Sequence, residues 1–91
     1  MSAHVSLPRE RGSALCARLD AVGQLCPIPL TRTARRMKTL RAGEILELVA
    51  DDRVVLIDLP NWCRSWGHEY LGHEEAEGVL HLFVRKRERP G

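Results

Sequence analysis

Two prolines, Pro27 and Pro29, stand at the head of a helical periodicity and fix where the first helix of this chain can begin. Proline lacks a backbone N–H and has a locked φ, so a helix tolerates it at its first position and not in its interior. Leu30, Thr33, Ala34, Met37 and Leu40 then recur at roughly helical spacing. The pattern predicts a helix from about 27 to 41, with Gly43 as its stop. It also places Cys26 at the N-cap, beside free N–H groups and the positive end of the helix dipole. Such a position favours the thiolate, the nucleophilic form of cysteine. The stretch Leu25-Cys26-Pro27-Ile28-Pro29-Leu30 therefore constrains the fold and suggests sulfur chemistry at the same point.

The rest of the chain divides around that helix. Residues 1–14 mix Pro8, Gly12 and three serines with alternating charges, and read as a flexible N-terminal extension. Leu15 to Ala21 forms a first strand, with Leu15, Ala17 and Leu19 on one face. Glu44 to Ala50 is rich in apolar and branched residues, as a central strand would be. Asp51-Asp52 would cap a second helix, on which Val55, Leu59, Trp62 and Trp66 form one apolar stripe, both tryptophans pointing into the core. Pro60 should kink or split that helix, and Gly67 should end it. Residues 68–76 and 79–86 read as a hairpin turned at Glu77-Gly78. Residues 88–91 are a frayed tail. The expected fold is α+β, a two-layer α/β sandwich of order βαβαββ. Its four-stranded mixed sheet carries both helices on one face, so that both apolar stripes share one core.

Composition narrows the function classes. A chain of 91 residues makes one small domain, here 15–87. A net charge of +2 is too small to argue for nucleic acid by itself. No apolar run approaches the roughly 18 residues of a membrane span, and no secretory h-region is visible, so a cytoplasmic location is expected. Three cysteines, Cys16, Cys26 and Cys63, are too few and too odd in number for a disulfide scaffold.

The segment Leu19-Asp20-Ala21, then Gly23, then Cys26-Pro27-Ile28-Pro29, resembles the leader and Cys-Pro-X-Pro motif of the TusA/SirA-like sulfur-carrier family. Ala42-Gly43-Glu44, Ala50-Asp51-Asp52 and Asp58-Leu59-Pro60 resemble further landmarks of that family, in order, and the likeness spans about residues 19–87. It implies the same βαβαββ fold and a sulfurtransferase function without metal or organic cofactor. Cys26 would accept sulfane sulfur as a persulfide and relay it, with Pro27 and Pro29 fixing the loop and helix start. The implied partners are a cysteine desulfurase or rhodanese-type donor and a downstream relay acceptor, most simply in tRNA wobble-uridine 2-thiolation, with tRNA touched only indirectly. Molybdenum-cofactor and sulfur-oxidation acceptors also occur in the family; DNA and membrane partners are not implied. Arg53 departs from the family pattern, which often has proline there. The following Val54-Val55-Leu56-Ile57 is more apolar than expected, which bears on the partner surface and not on Cys26.

Plainer roles compete for the other candidate residues. Cys63 is a candidate second thiol, but its apolar company favours packing, and Cys16 is incidental. His68, His73 and His81 lack metal-ligand spacing, so no metal is expected. Arg32 and Arg35, the basic residues of the first helix nearest Cys26, are the candidate docking contacts on a face that otherwise reads as solvated. The competing functions are a non-catalytic regulatory or RNA-binding module using that basic helix, and a redox sensor pairing Cys26 with Cys63.

Overall fold

The computed structural model describes residues 15–87; the expected N-terminal extension and C-terminal tail lie outside them. The element order is β1 (Leu15–Asp20), α1 (Ile28–Met37), β2 (Ile45–Ala50), α2 (Val55–Trp66), β3 (Glu69–Ala76) and β4 (Val79–Arg85). The sheet order is β1-β2-β4-β3, with β1 parallel to β2 and the remaining pairs antiparallel. This is the βαβαββ mixed sheet expected from the sequence.

Both helices pack on one face. Met37 of α1 and Val55, Leu59 and Cys63 of α2 are buried in one cluster with Leu46, Leu48 and Ala50 of β2 and Leu80, Leu82 and Val84 of β4. Alternate residues of a strand share a face, so these even-numbered positions form one wall of the core. The other face of the two central strands is buried as well. Ile45 and Phe83 pack there with Leu71, and the Glu47 carboxylate, itself buried, meets His81 Nδ1 at 2.7 Å. Burial on both faces explains why β2 reads as an unbroken apolar run except at Glu47.

Several boundaries differ from the sequence reading, each for a tertiary reason. Helix α1 ends at Met37 and not near Arg41. Thr39 Oγ1 donates to Arg36 O at 2.7 Å, and Lys86 Nζ, from the end of β4, donates to Met37 O and Leu40 O at 2.7 and 2.8 Å. These donors satisfy the last carbonyls and release the chain from the helix. Gly43, with φ +92, serves the following turn into β2, where its N–H bonds to Lys86 O. Helix α2 runs through Pro60 as one element. The proline removes one N–H, but Leu59 and Cys63 anchor the helix to the core on either side. Trp66 is 47% exposed and not a core residue, because it sits in the last turn of α2 beyond the packed stripe. Gly67 does end the helix, in the left-handed conformation at φ 80 that glycine adopts without strain. The hairpin turns at Glu77-Gly78, both with positive φ, as a tight hairpin requires.

Candidate functional site

Cys26 lies on the loop from β1 to α1, half-buried against the edge of the core. It is one residue further from the helix than expected. Pro27 is the N-cap, and the first full-turn bond of α1 runs from Thr31 N–H to Pro27 O at 2.9 Å. Pro29 is buried in the first turn, where its missing N–H costs nothing. The two prolines thus close the loop on the helix side.

Two aspartates close it on the other. Asp51 and Asp52, at the end of β2, were expected to cap α2. Asp52 Oδ1 does accept from Val54 N–H at 3.1 Å, but Asp52 Oδ2 accepts from Cys26 N–H at 2.9 Å. Asp51 Oδ1 accepts from Gly23 N–H at 2.9 Å. One acidic pair therefore pins the cysteine loop and the start of α2 together. Arg32 adds a third tie: its Nη1 donates to Asp20 O at 3.0 Å and to Gln24 Oε1 at 2.7 Å. The guanidinium expected to dock a partner also braces the loop. Arg35 is exposed in the last turn of α1, toward the end of the helix away from Cys26.

The electrostatics run opposite to the sequence expectation. Burial, first, then the negative charges of Asp52 and Asp58 and a hydrogen bond to Asp58, push the Cys26 thiol above its ordinary range. The Asp52 carboxyl is held below its ordinary range by the Cys26 and Val54 N–H groups. Burial comes first, and with it act two carboxylates that only the folded chain brings to the thiol.

Around this acidic frame the surface is apolar. Val22 and Leu25 on the cysteine loop, Ile28 at the start of α1, Val54 at the N-cap of α2 and Ile57 in its first turn are all exposed, Leu25 by 70% and Ile57 by 66%. They are five of the six large exposed hydrophobic residues among those described; the sixth is Trp66. The unusually apolar run after Arg53 was the sequence signal for this collar. Arg53 itself pairs with Glu75 at 2.9 Å on the surface.

The remaining candidates lie elsewhere. Cys63 is in the core, its thiol pushed up to about 12 by burial, so it is protonated and inert at neutral pH. The three histidines diverge. His68 lies 5.3 Å from the Trp62 ring, His73 meets Tyr70 Oη at 3.3 Å, and His81 meets Glu47. Among the described residues no three His, Cys, Asp or Glu side chains are grouped to hold a metal ion, and no helix is long and apolar enough to cross a membrane.

The fold and site define a small βαβαββ domain that presents one cysteine between a strand and a proline-opened helix. The profile of the family "Sulfurtransferase TusA" matches residues 17–86, and the chain belongs to that family. The chain is 50% identical over 68 residues to YrkF of Bacillus subtilis (strain 168), covering 75% of this chain but only 37% of YrkF. It is 37% identical over 71 residues to the sulfur carrier protein TusA of Pseudomonas entomophila (strain L48), covering 78% of this chain and 89% of that protein. The crystal structure of a SirA-like protein from Desulfitobacterium hafniense superimposes with a TM-score of 0.66 at 28% identity, over 80% of this chain and all of that one.

Proposed function

We propose that this protein carries sulfur as a persulfide on Cys26 and relays it between two partner proteins. The observation that carries the reading is Cys26 itself: a half-buried thiol, on a loop tied from three sides, inside a collar of exposed apolar side chains. Its thiolate attacks the outer sulfur of a donor persulfide. The donor S–S bond breaks, its electron pair leaves with the donor thiolate, and Cys26 keeps the outer sulfur. Delivery repeats the exchange, with an acceptor thiolate attacking the outer sulfur and Cys26 leaving as the thiolate. Neither step needs a metal or organic cofactor. The donor is a cysteine desulfurase or a rhodanese-type protein, and the acceptor a relay protein of tRNA wobble-uridine 2-thiolation or of related sulfur trafficking. The name of the Pseudomonas relative, sulfur carrier protein TusA, supports this assignment.

The apolar collar favours protein partners over the RNA-binding alternative, because an interface core is apolar and poor in charge. Sulfur loading by a cysteine desulfurase with labelled cysteine, read by intact mass, tests the reading. One added sulfur is expected on the wild type and on Cys63→Ser, and none on Cys26→Ser. Absence of transferable sulfur on Cys26 with every sulfane donor tried refutes it.

A further inference from the structure

At the C-terminal ends of α1 and α2, residues of both helices line a cavity of about 660 Å³. Six helical residues, 28–33, about 9 Å of rise, separate its first lining residue, Ala34, from the cysteine loop. Its volume lies within the range of small-molecule sites, roughly 300–1,000 Å³. Met37 and Leu40 line its floor, and Trp62 and Trp66, the only tryptophans of the chain, line its wall. Trp62 is already ordered against the His68 ring, 5.3 Å away and tilted by 33°.

The charged residues that line it are cationic, with Glu69 and Glu44 adjoining Arg87 and Arg41 outside the lining. Lys38, Arg41, Lys86 and Arg87 all line the cavity, and among the described residues that line it there is no acid. Lys86 cancels the negative end of α1 by donating to Met37 O and Leu40 O. Without it, the helix C-terminus would repel an anion placed here. Arg87 meets Glu69 at 3.3 Å in an exposed pair that costs little to exchange. Arg41 is exposed, and its guanidinium fork suits a phosphate.

Indole faces beside guanidinium groups suit a ligand that is flat and aromatic at one end and anionic at the other. We propose that this cavity binds a mononucleotide, with the base against the tryptophan wall and the phosphate on Arg41 and Arg87. The site is separate from Cys26 and independent of the sulfur-carrier reading.

Because both tryptophans wall the cavity, intrinsic emission reports on it directly. The full chain is titrated with AMP and GMP, by tryptophan emission and by calorimetry, with inorganic phosphate, an acidic peptide and a single-stranded oligoribonucleotide in parallel. Saturable nucleotide binding is expected, weakened about tenfold by Arg41→Glu and weakened also by Trp66→Leu and by salt. Both variants alter exposed side chains, and their melting curves confirm folding. Backbone amide shifts should centre on residues 37–42, 62–68 and 86–87, while sulfur loading of Cys26 in Arg41→Glu stays at the wild-type level. Four results would each overturn the proposal. They are no saturable binding at millimolar nucleotide, equal binding of inorganic phosphate, tighter binding of the peptide or the oligoribonucleotide, and shifts centred on the cysteine loop.

Discussion

Arg32 separates a docking role from a bracing role, and replacing it with alanine discriminates between them. Its Nη1 holds the Asp20 carbonyl and the Gln24 side chain, at 3.0 and 2.7 Å, so one cation ties both sides of the cysteine loop to α1. A hydrogen bond from a charged donor is worth about 1.5–3 kcal/mol. That figure is already net of ordering the side chain; both bonds share one nitrogen and partial exposure lets water compete, so the pair stays near the lower part of that range. The net loss in Arg32→Ala is therefore about 1–2 kcal/mol. In a domain of this size each kcal/mol moves the melting temperature by roughly 4–8 °C, which predicts a drop of roughly 5–15 °C. If the loss falls mainly on the loop, sulfur loading of Cys26 slows by as much as about tenfold. The slowing should be equal at low and high salt, because the acceptors are a carbonyl and an amide, not charges. A double-mutant cycle with Gln24→Ala should show coupling of about 1 kcal/mol. Thermal melts and desulfurase loading at two ionic strengths measure all of this. An unchanged melting temperature, with loading slowed only at low salt, would refute the brace and restore the docking role.

Four further outcomes follow from the same geometry. Asp58→Asn removes a carboxylate that raises the Cys26 thiol, so the pH midpoint of Cys26 alkylation should move down; an unmoved or higher midpoint contradicts the proposed electrostatics. Leu25→Asp and Ile57→Asp place charge on the apolar collar. Each should slow loading from a protein donor while leaving the melting temperature, and loading from a small persulfide, near wild type; a melting temperature that falls with the rate would make these residues structural. The Cys63 thiol and the Tyr70 phenol are both pushed up to about 12, from 9.0 and 10.0. The folded state thus keeps protons that the unfolded state gives up. Stability should be full below about pH 9 and decline as pH rises toward 12, and Cys63→Ala should flatten that decline in denaturant midpoints. Thr33 Oγ1 is buried with no hydrogen-bond partner, so the near-isosteric Thr33→Val should raise stability by about 1 kcal/mol in urea unfolding; a lower urea midpoint would mean that the hydroxyl has a partner.

The fold was legible where local chemistry and tertiary demand agree. Pro27, Gly67 and the Glu77-Gly78 turn punctuate the chain, and the strand and helix periods between them name the elements. Legibility failed where a distant residue intervened. Nothing near Met37 announces that Lys86 will take its carbonyl from 49 residues away. Trp66 shares the helical phase of Val55 and Leu59, but phase cannot tell where a helix outruns its packing partner. At the site, Cys26 and its prolines were readable because they are contiguous. The acidic frame was not: Asp52 and Asp58 read as a cap and a helix residue until the fold sets both beside the thiol.

That frame changes what the site is suited to do. A cationic pocket would maximise thiolate and hold a persulfide anion firmly. Here two carboxylates oppose both. A thiolate of higher pKa is the more nucleophilic once formed and the poorer leaving group. On the carrier reading, acceptance from a donor then draws on a stronger nucleophile present as a smaller thiolate fraction, and delivery is slow while Asp52 and Asp58 face the departing sulfur. A small thiol in solution cannot change that balance. An acceptor protein can, if it covers the apolar collar and brings a cation to the two carboxylates, because neutralising them lowers the pKa of the leaving thiol. On the carrier reading, charge and collar together favour release to a docked acceptor over release to the surrounding thiol pool.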